Sequence, residues 1–311
     1  MNAPVAVVGP GAIGLFLAHR LSRAGLKVVL VGKDERWRRG AARGLKLETR
    51  TPSGAARMAR VRAARLETRP RGPACAAVFV CVKAGSVPAA LRAAKPLAGP
   101  ETAVVSLQNG LGHRGALRAA FGPRRSVVGV TFASCERVGP FQVRHHGGDR
   151  FALAEGPENA AAATLAARLL ARAGLKVDLV RDEDALLWTK AAFNAATNPV
   201  GALTGRSNGD LVRVPALRDL VMRAAREAAA VAKADGRRTV YPSLERALER
   251  GLAAAPTQSN SMLQDLRAGR RTEVDAIVGP FLQAARRRRR PAPLLGALHA
   301  LIKRVEREAA R

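Results

Sequence analysis

Ten residues near the start of the chain, Val5-Ala-Val-Val-Gly9-Pro10-Gly11-Ala12-Ile13-Gly14, restrict its fold more than any other stretch. Four apolar residues in a row read as a buried strand. Beyond the glycines, Leu15, Leu17, Ala18 and Leu21 recur at helical spacing up to a stop at Gly25. Strand, G-x-G-x-x-G and helix in that order form the context of a dinucleotide fingerprint. Gly9 permits the tight turn, Gly11 lets the backbone approach a pyrophosphate, and Gly14 lets the helix pack closely on the strand. The helix then opens at Ala12 and Ile13, and its first turn offers unpaired N–H groups and a positive dipole end to phosphates. Gly9, Gly11, Ala12, Ile13 and Gly14 are therefore candidate cofactor-binding residues.

A second strand at 27–31 should end near the adenosine ribose. NAD sites place an acidic residue there; this chain has Gly32-Lys33, with Arg36, Arg38 and Arg39 close behind. The cations favour a 2′-phosphate and hence NADPH, with Lys33 as its reader. Asp34 lies at the NAD-type distance but two residues beyond the strand. Strands at 76–82 and 102–107 lead into Lys83-Ala84 and Gln108-Asn109-Gly110. Residues just past the carboxyl ends of parallel strands contact ligands. Lys83 and Asn109 hold those places, with ordinary turn chemistry as the competing reading. Residues 45–68 read as a pair of short strands around Pro52-Ser-Gly54. Further strands are expected at 127–132, 141–144 and 151–154. A helix over 160–173 and a strand at 177–180 close this part.

From Asp182 onward strand patterns vanish. Helices are expected over 183–197, 216–234, 243–254, 272–285 and 294–309, so the chain divides into an N-terminal Rossmann-type dinucleotide-binding domain (1–181) and an all-helical C-terminal domain (182–311). In the first of these helices Lys190, Asn194 and Asn198 stand at i, i+4 and i+8, on one face. Asn is a poor helix former, so the stripe is either a solvated face or a cationic donor flanked by two neutral amides, lining a pocket for a small polar anion. Pro199 should end or kink the helix at Asn198. Later, Ser261 follows a polar turn at 257–260. Thr272 suits an N-cap, and Glu273 in the next turn favours the helix dipole with no other role required.

The net charge of +29 on 311 residues suggests a polyanion partner, but the arginines are scattered among Ala and Leu and aromatics are only 4%. No nucleic-acid motif accompanies them, so no specific nucleic-acid complex is expected. Arg286–Arg290, the one dense run, reads as the solvated end of a helix. Cys75, Cys81 and Cys135 form no CxxC pair and no metal-ligand cluster, so no metal is expected and a reducing, cytoplasmic setting is. The apolar N-terminus reads as a buried strand and not a signal peptide, and no apolar run is long enough to span a membrane.

Taken in order, these motifs bring a family into view. Gly9-x-Gly-x-x-Gly14, Val82-Lys83-Ala84, Gln108-Asn109-Gly110, Trp188-x-Lys190-x-x-x-Asn194-x-x-x-Asn198-Pro199, Ser261-Met-Leu-Gln-Asp265 and Arg271-Thr-Glu273-x-Asp275 together resemble the ketopantoate reductases (2-dehydropantoate 2-reductases). The resemblance implies NADPH-dependent reduction of 2-dehydropantoate to (R)-pantoate, in pantothenate biosynthesis. It makes Lys190 the catalytic lysine and puts Asn194, Asn198, Asn208 and Ser261 against the substrate. Lys83, Asn109 and Glu273 fall near the cofactor and the reacting centre, with Glu273 also a catalytic candidate through Lys190 or a ribose. Lys33 matches the residue that meets the 2′-phosphate. Three departures stand out: Val278 where Asn is usual, Pro280 inside an expected helix, and no glycine near the arginine run. Other readings are a reductase of another small 2-keto or hydroxy acid, and a polyanion-binding protein with a vestigial nucleotide domain. A homodimer is left open.

Overall fold

The computed structural model describes residues 3–32, 44–50, 56–61, 65–67 and 72–309. Its contacts divide the chain into two compact units, Met1–Gln108 with Gly112–Glu183, and Asp184–Arg311 with the short segment Asn109–Leu111. Lys33, Asp34, Arg36, Arg38, Arg39 and the turn 52–54 lie outside the described residues.

The first unit carries β1 (Val5–Val8), β2 (Val28–Val31), β3 (Leu45–Arg50), β4 (Ala56–Val61), β5 (Arg65–Glu67) and β6 (Ala77–Val80). Then come β7 (Ala103–Ser106), β8 (Ser126–Thr131), β9 (Ser134–Gly139), β10 (Gln142–Gly147), β11 (Arg150–Ala154) and β12 (Lys176–Val180). Eight strands form one sheet in the order β12-β11-β8-β7-β6-β1-β2-β5. It is parallel until β11, which turns antiparallel to β8. β1, β6 and β7 are buried at every residue, as a parallel sheet covered on both faces demands. Strand order reverses between β1 and β6, the switch point where such sheets bind ligands. Helix α1 (Ala12–Arg23) follows β1, and α2 (Val87–Ala94), α3 (His113–Phe121) and α4 (Ala160–Arg172) complete the unit.

A four-stranded sheet, β4-β3-β10-β9, lies against α1, with the Phe16 and His145 rings 4.6 Å apart. Helix α1 is thus buried on two sides, which explains why Leu15, Phe16, Leu17, Ala18, His19 and Leu21 are all inaccessible. Two expectations are corrected here. Residues 45–68 give a hairpin plus a third strand, β5, which leaves the hairpin to pair with β2. And β9 was not foreseen, because Glu136 and Arg137 interrupt its apolar pattern while its pairing partner β10 supplies the order.

In the second unit every element is helical: α5 (Glu183–Thr204), α6 (Asp210–Arg213), α7 (Pro215–Ala234), α8 (Leu244–Ala253), α9 (Ser261–Arg267), α10 (Val274–Ile277), α11 (Gly279–Arg287) and α12 (Pro293–Glu308). Helix α5 does not stop at Asn198. It runs through Pro199 to Thr204. A proline inside a helix costs about 3 kcal/mol. Full burial of one side chain such as Val200 returns about 1.5–3 kcal/mol, and Ala195, Ala196 and Ala202 are buried beside it. Thr197 and Thr204 hydroxyls donate to the Phe193 and Val200 carbonyls, 2.9 and 2.7 Å away, so the buried Thr197 hydroxyl is satisfied within the helix. The segment expected as one helix over 272–285 is two, divided at Val278. Pro280 takes an early position in α11, where its missing N–H costs nothing.

The arginine run is more than a solvated end. Arg287 grips the carboxylate of Asp235 with two bonds (2.7 and 3.2 Å) and Arg288 adds a third at 2.9 Å. Asp235 is buried, and these guanidinium groups hold its carboxyl below the usual range against the cost of burial. Helix α11 closes with the Arg290 N–H donating to the Ala285 carbonyl and Arg289 at φ 51, the left-handed position normally given to glycine. Among the described residues no helix is long and apolar enough to cross a membrane.

Candidate functional site

In the first unit the three glycines answer to different demands. Gly9 sits at φ +104, and a Cβ there would meet Val82 Cγ1 at 2.6 Å. A Cβ on Gly14 would overlap the Gly9 carbonyl oxygen. Both glycines are therefore required by the chain's own packing. Gly11 is not: a Cβ there meets nothing nearer than the Cys81 carbonyl, at an ordinary 3.7 Å. What Gly11 keeps clear is the approach to the α1 N-terminus. Pro10, Gly11, Ala12 and Ile13 are half-buried, the first turn contains no acidic residue, and its N-cap, Gly11, has no side chain to cap it. An opening of this kind fits the pyrophosphate of a dinucleotide, bound by backbone N–H groups. Lys83 is exposed at the carboxyl end of β6, which pairs with β1 along its length. Lys33 lies outside the described residues.

The second unit brings together four of the residues singled out above. On α5, Lys190 is half-buried and its Nζ lies 5.3 Å from the centre of the Phe193 ring. Burial pulls its ammonium down from an ordinary 10.5 to about 8. One turn on, Asn194 is buried and donates from Nδ2 to Asn109 Oδ1 at 3.1 Å. Asn109 in turn donates to Glu273 Oε2 at 3.4 Å. An amide relay thus ties α5 to the residue preceding α10. Gly110 makes it possible, since a Cβ there would stand 2.5 Å from the Ala276 carbonyl oxygen. Glu273 is the residue before the helix. It is Thr272 whose hydroxyl accepts from Val274 N (3.2 Å) and donates to Glu306 (2.7 Å).

Asn198, a further turn along α5, is buried, and its backbone carbonyl accepts from Asn260 Nδ2 at 3.3 Å. Ser261 is exposed at the first position of α9. Asn208 is half-buried and tied to the 256–258 turn, its N–H donating to the Gln258 carbonyl (2.8 Å) and its amide to Gln258 Oε1 (3.3 Å). Sequence reasoning passed over two residues here. Asn260 was read only as part of a polar turn, although Asn directly before an apolar helix is an N-cap signature. Phe193 carries a signal too, since an aromatic at i+3 from a lysine is within reach of its ammonium.

The chain matches two family models, Ketopantoate reductase PanE/ApbA over residues 5–158 and Ketopantoate reductase PanE/ApbA C terminal over residues 183–306. A 2-dehydropantoate 2-reductase of Mesorhizobium japonicum is 32% identical, with 97% of each chain covered. Among solved structures, a PanE/ApbA family ketopantoate reductase from Ralstonia eutropha JMP134 superposes with a TM-score of 0.83 at 29% identity, covering 99% of this chain and 100% of that one. D-Mandelate dehydrogenase in a ternary structure with NADH and anilino(oxo)acetate shares the fold at a TM-score of 0.86, with 20% identity over 99% of this chain and all of that one. With both halves of the molecule matched in order, the chain belongs to the ketopantoate reductase family.

Proposed function

We propose that this protein reduces 2-dehydropantoate to (R)-pantoate with NADPH. The observation that carries the reading is the polar run of the second unit, in which a half-buried lysine stands one helical turn from an amide fixed by Asn109 and Glu273. Bound at the glycine turn, the dinucleotide would supply a hydride to the keto carbon. Lys190 stabilises the charge that gathers on the carbonyl oxygen and gives up its proton there. With a pKa of about 8 it is still about nine-tenths protonated at neutral pH, yet a stronger acid than an ordinary lysine.

Asn194 gives one of its two amide N–H groups to Asn109, and the orientation this fixes offers its carbonyl oxygen as an acceptor, suited to a substrate hydroxyl. Asn198, Asn208 and Ser261 supply further neutral polar groups for the carboxylate and hydroxyl, adding no charge of their own. Glu273 acts through Asn109, holding the amide in the orientation that Asn194 needs. Gly32-Lys33, in place of an acidic residue after the second strand, supports NADPH over NADH. The test is NADPH oxidation by the purified enzyme across a panel of 2-keto acids that includes 2-dehydropantoate and phenylglyoxylate. The highest kcat/KM is expected with 2-dehydropantoate. A clear preference for another member, or no turnover of any, overturns the assignment.

A further inference from the structure

The amide of Asn260 makes two bonds at once. Its Oδ1 accepts from the Leu263 N–H at 3.0 Å and caps α9, while Nδ2 reaches 3.3 Å across to the Asn198 carbonyl on α5. The side chain is buried. Room for it comes from Gly201, where a Cβ would overlap Asn260 Nδ2. Inside a 22-residue helix otherwise rich in Ala and Leu, a glycine weakens the helix by about 1 kcal/mol, so the gap has a cost that the bridge explains. The next residue after Asn260 is Ser261, and the carbonyl it holds belongs to Asn198. Both are proposed substrate contacts, and the Asn260 amide joins the elements that carry them, α5 and α9.

We infer that Asn260 is a positioning residue, fixing the first turn of α9 so that Ser261 stands at a set distance from Asn198. The inference rests on the reading of Ser261 as a substrate contact. Its role is confined to ground-state binding of the keto acid, because Lys190 lies two helical turns from Asn198 on α5. A lost bridge therefore loosens substrate without touching proton transfer.

Asn260→Asp separates the two bonds. Asp caps a helix as well as Asn does, but it cannot donate to the Asn198 carbonyl. Asn260→Ser, which also caps but is too short to span the gap, guards against a variant that does not fold. Steady-state kinetics on the full chain with NADPH and 2-dehydropantoate should show the keto-acid KM raised by about tenfold, the worth of one hydrogen bond, with kcat and the NADPH KM within about twofold. Ser261→Ala should raise the same KM, and Asn260→Asp combined with Ser261→Ala should raise it no further than the larger single change. Unchanged KM in both Asn260 variants overturns the inference, as do losses that multiply in the double variant. If Ser261→Ala alone has no effect, the substrate role of Ser261 fails, and the inference with it, while the assignment of Lys190 stands.

Discussion

Replacing Lys190 with methionine should make the ligand-free protein more stable while disabling it. Burial takes the ammonium from an ordinary 10.5 to about 8. At about 1.36 kcal/mol per pH unit, a protonated Lys190 costs the folded state up to about 3 kcal/mol. Methionine fills a similar volume with no charge. The contact with the Phe193 ring is worth about 0.5–1 kcal/mol as a cation–π pair, and a thioether against the same ring recovers a comparable amount. The net gain at neutral pH is thus about 2–3 kcal/mol. Its pH dependence has a definite sign. Below about 8 both folded and unfolded chains carry the proton and the whole cost is present. Between 8 and 10.5 only the unfolded chain holds it, so the wild type gains stability as pH rises and the gap to the variant closes. Urea unfolding of both proteins at pH 7 and pH 10 measures this. A Lys190→Met protein less stable than wild type at pH 7, or a gap of the same size at pH 10, refutes the reasoning.

Lys33→Ala should weaken NADPH binding by about 1–3 kcal/mol and leave NADH binding nearly unchanged; equal losses would show that Lys33 does not read the 2′-phosphate. Arg289→Gly should raise unfolding stability by about 0.5–1 kcal/mol in thermal or urea melts, because Arg289 stands at φ 51 where glycine is unstrained. No gain would mean that the strain is offset by contacts of the arginine. The +29 charge should give only weak, salt-sensitive attraction to DNA or RNA in fluorescence anisotropy, and a sub-micromolar, sequence-selective complex at physiological salt would contradict this.

What could be read from the sequence followed the range of the forces involved. The glycine turn was legible because its demands are local: Gly9 and Gly14 answer to atoms within a few residues or on the adjoining strand. The polar stripe of α5 was legible because helical period alone puts Lys190, Asn194 and Asn198 on one face. The extent of that helix was not, since the rule at Pro199 is local and the burial that overrides it is not. Asn260 and Asn198 are 62 residues apart, Asn109 and Glu273 are 164 apart, and Asp235 and Arg287 are 52 apart. No spacing rule connects such pairs; each became visible only when the helices were packed. The unexpected residues Pro280 and Arg289 fall at places where the backbone absorbs them, the start of α11 and its left-handed close.

The central claim is that a reductase of 2-dehydropantoate depends on a protonated Lys190. Its most direct test is the pH dependence of kcat/KM for NADPH-driven reduction between about pH 6 and 10, since this quantity reports the ionisations of the free enzyme. The rate should hold level at neutral pH and fall tenfold per pH unit above about 8, where Lys190 loses its proton. Lys190→Ala should lose that limb along with about 10²–10⁴-fold in kcat. A wild-type profile that stays flat through pH 10, or an alanine variant that keeps the limb and the rate, would remove Lys190 from the mechanism.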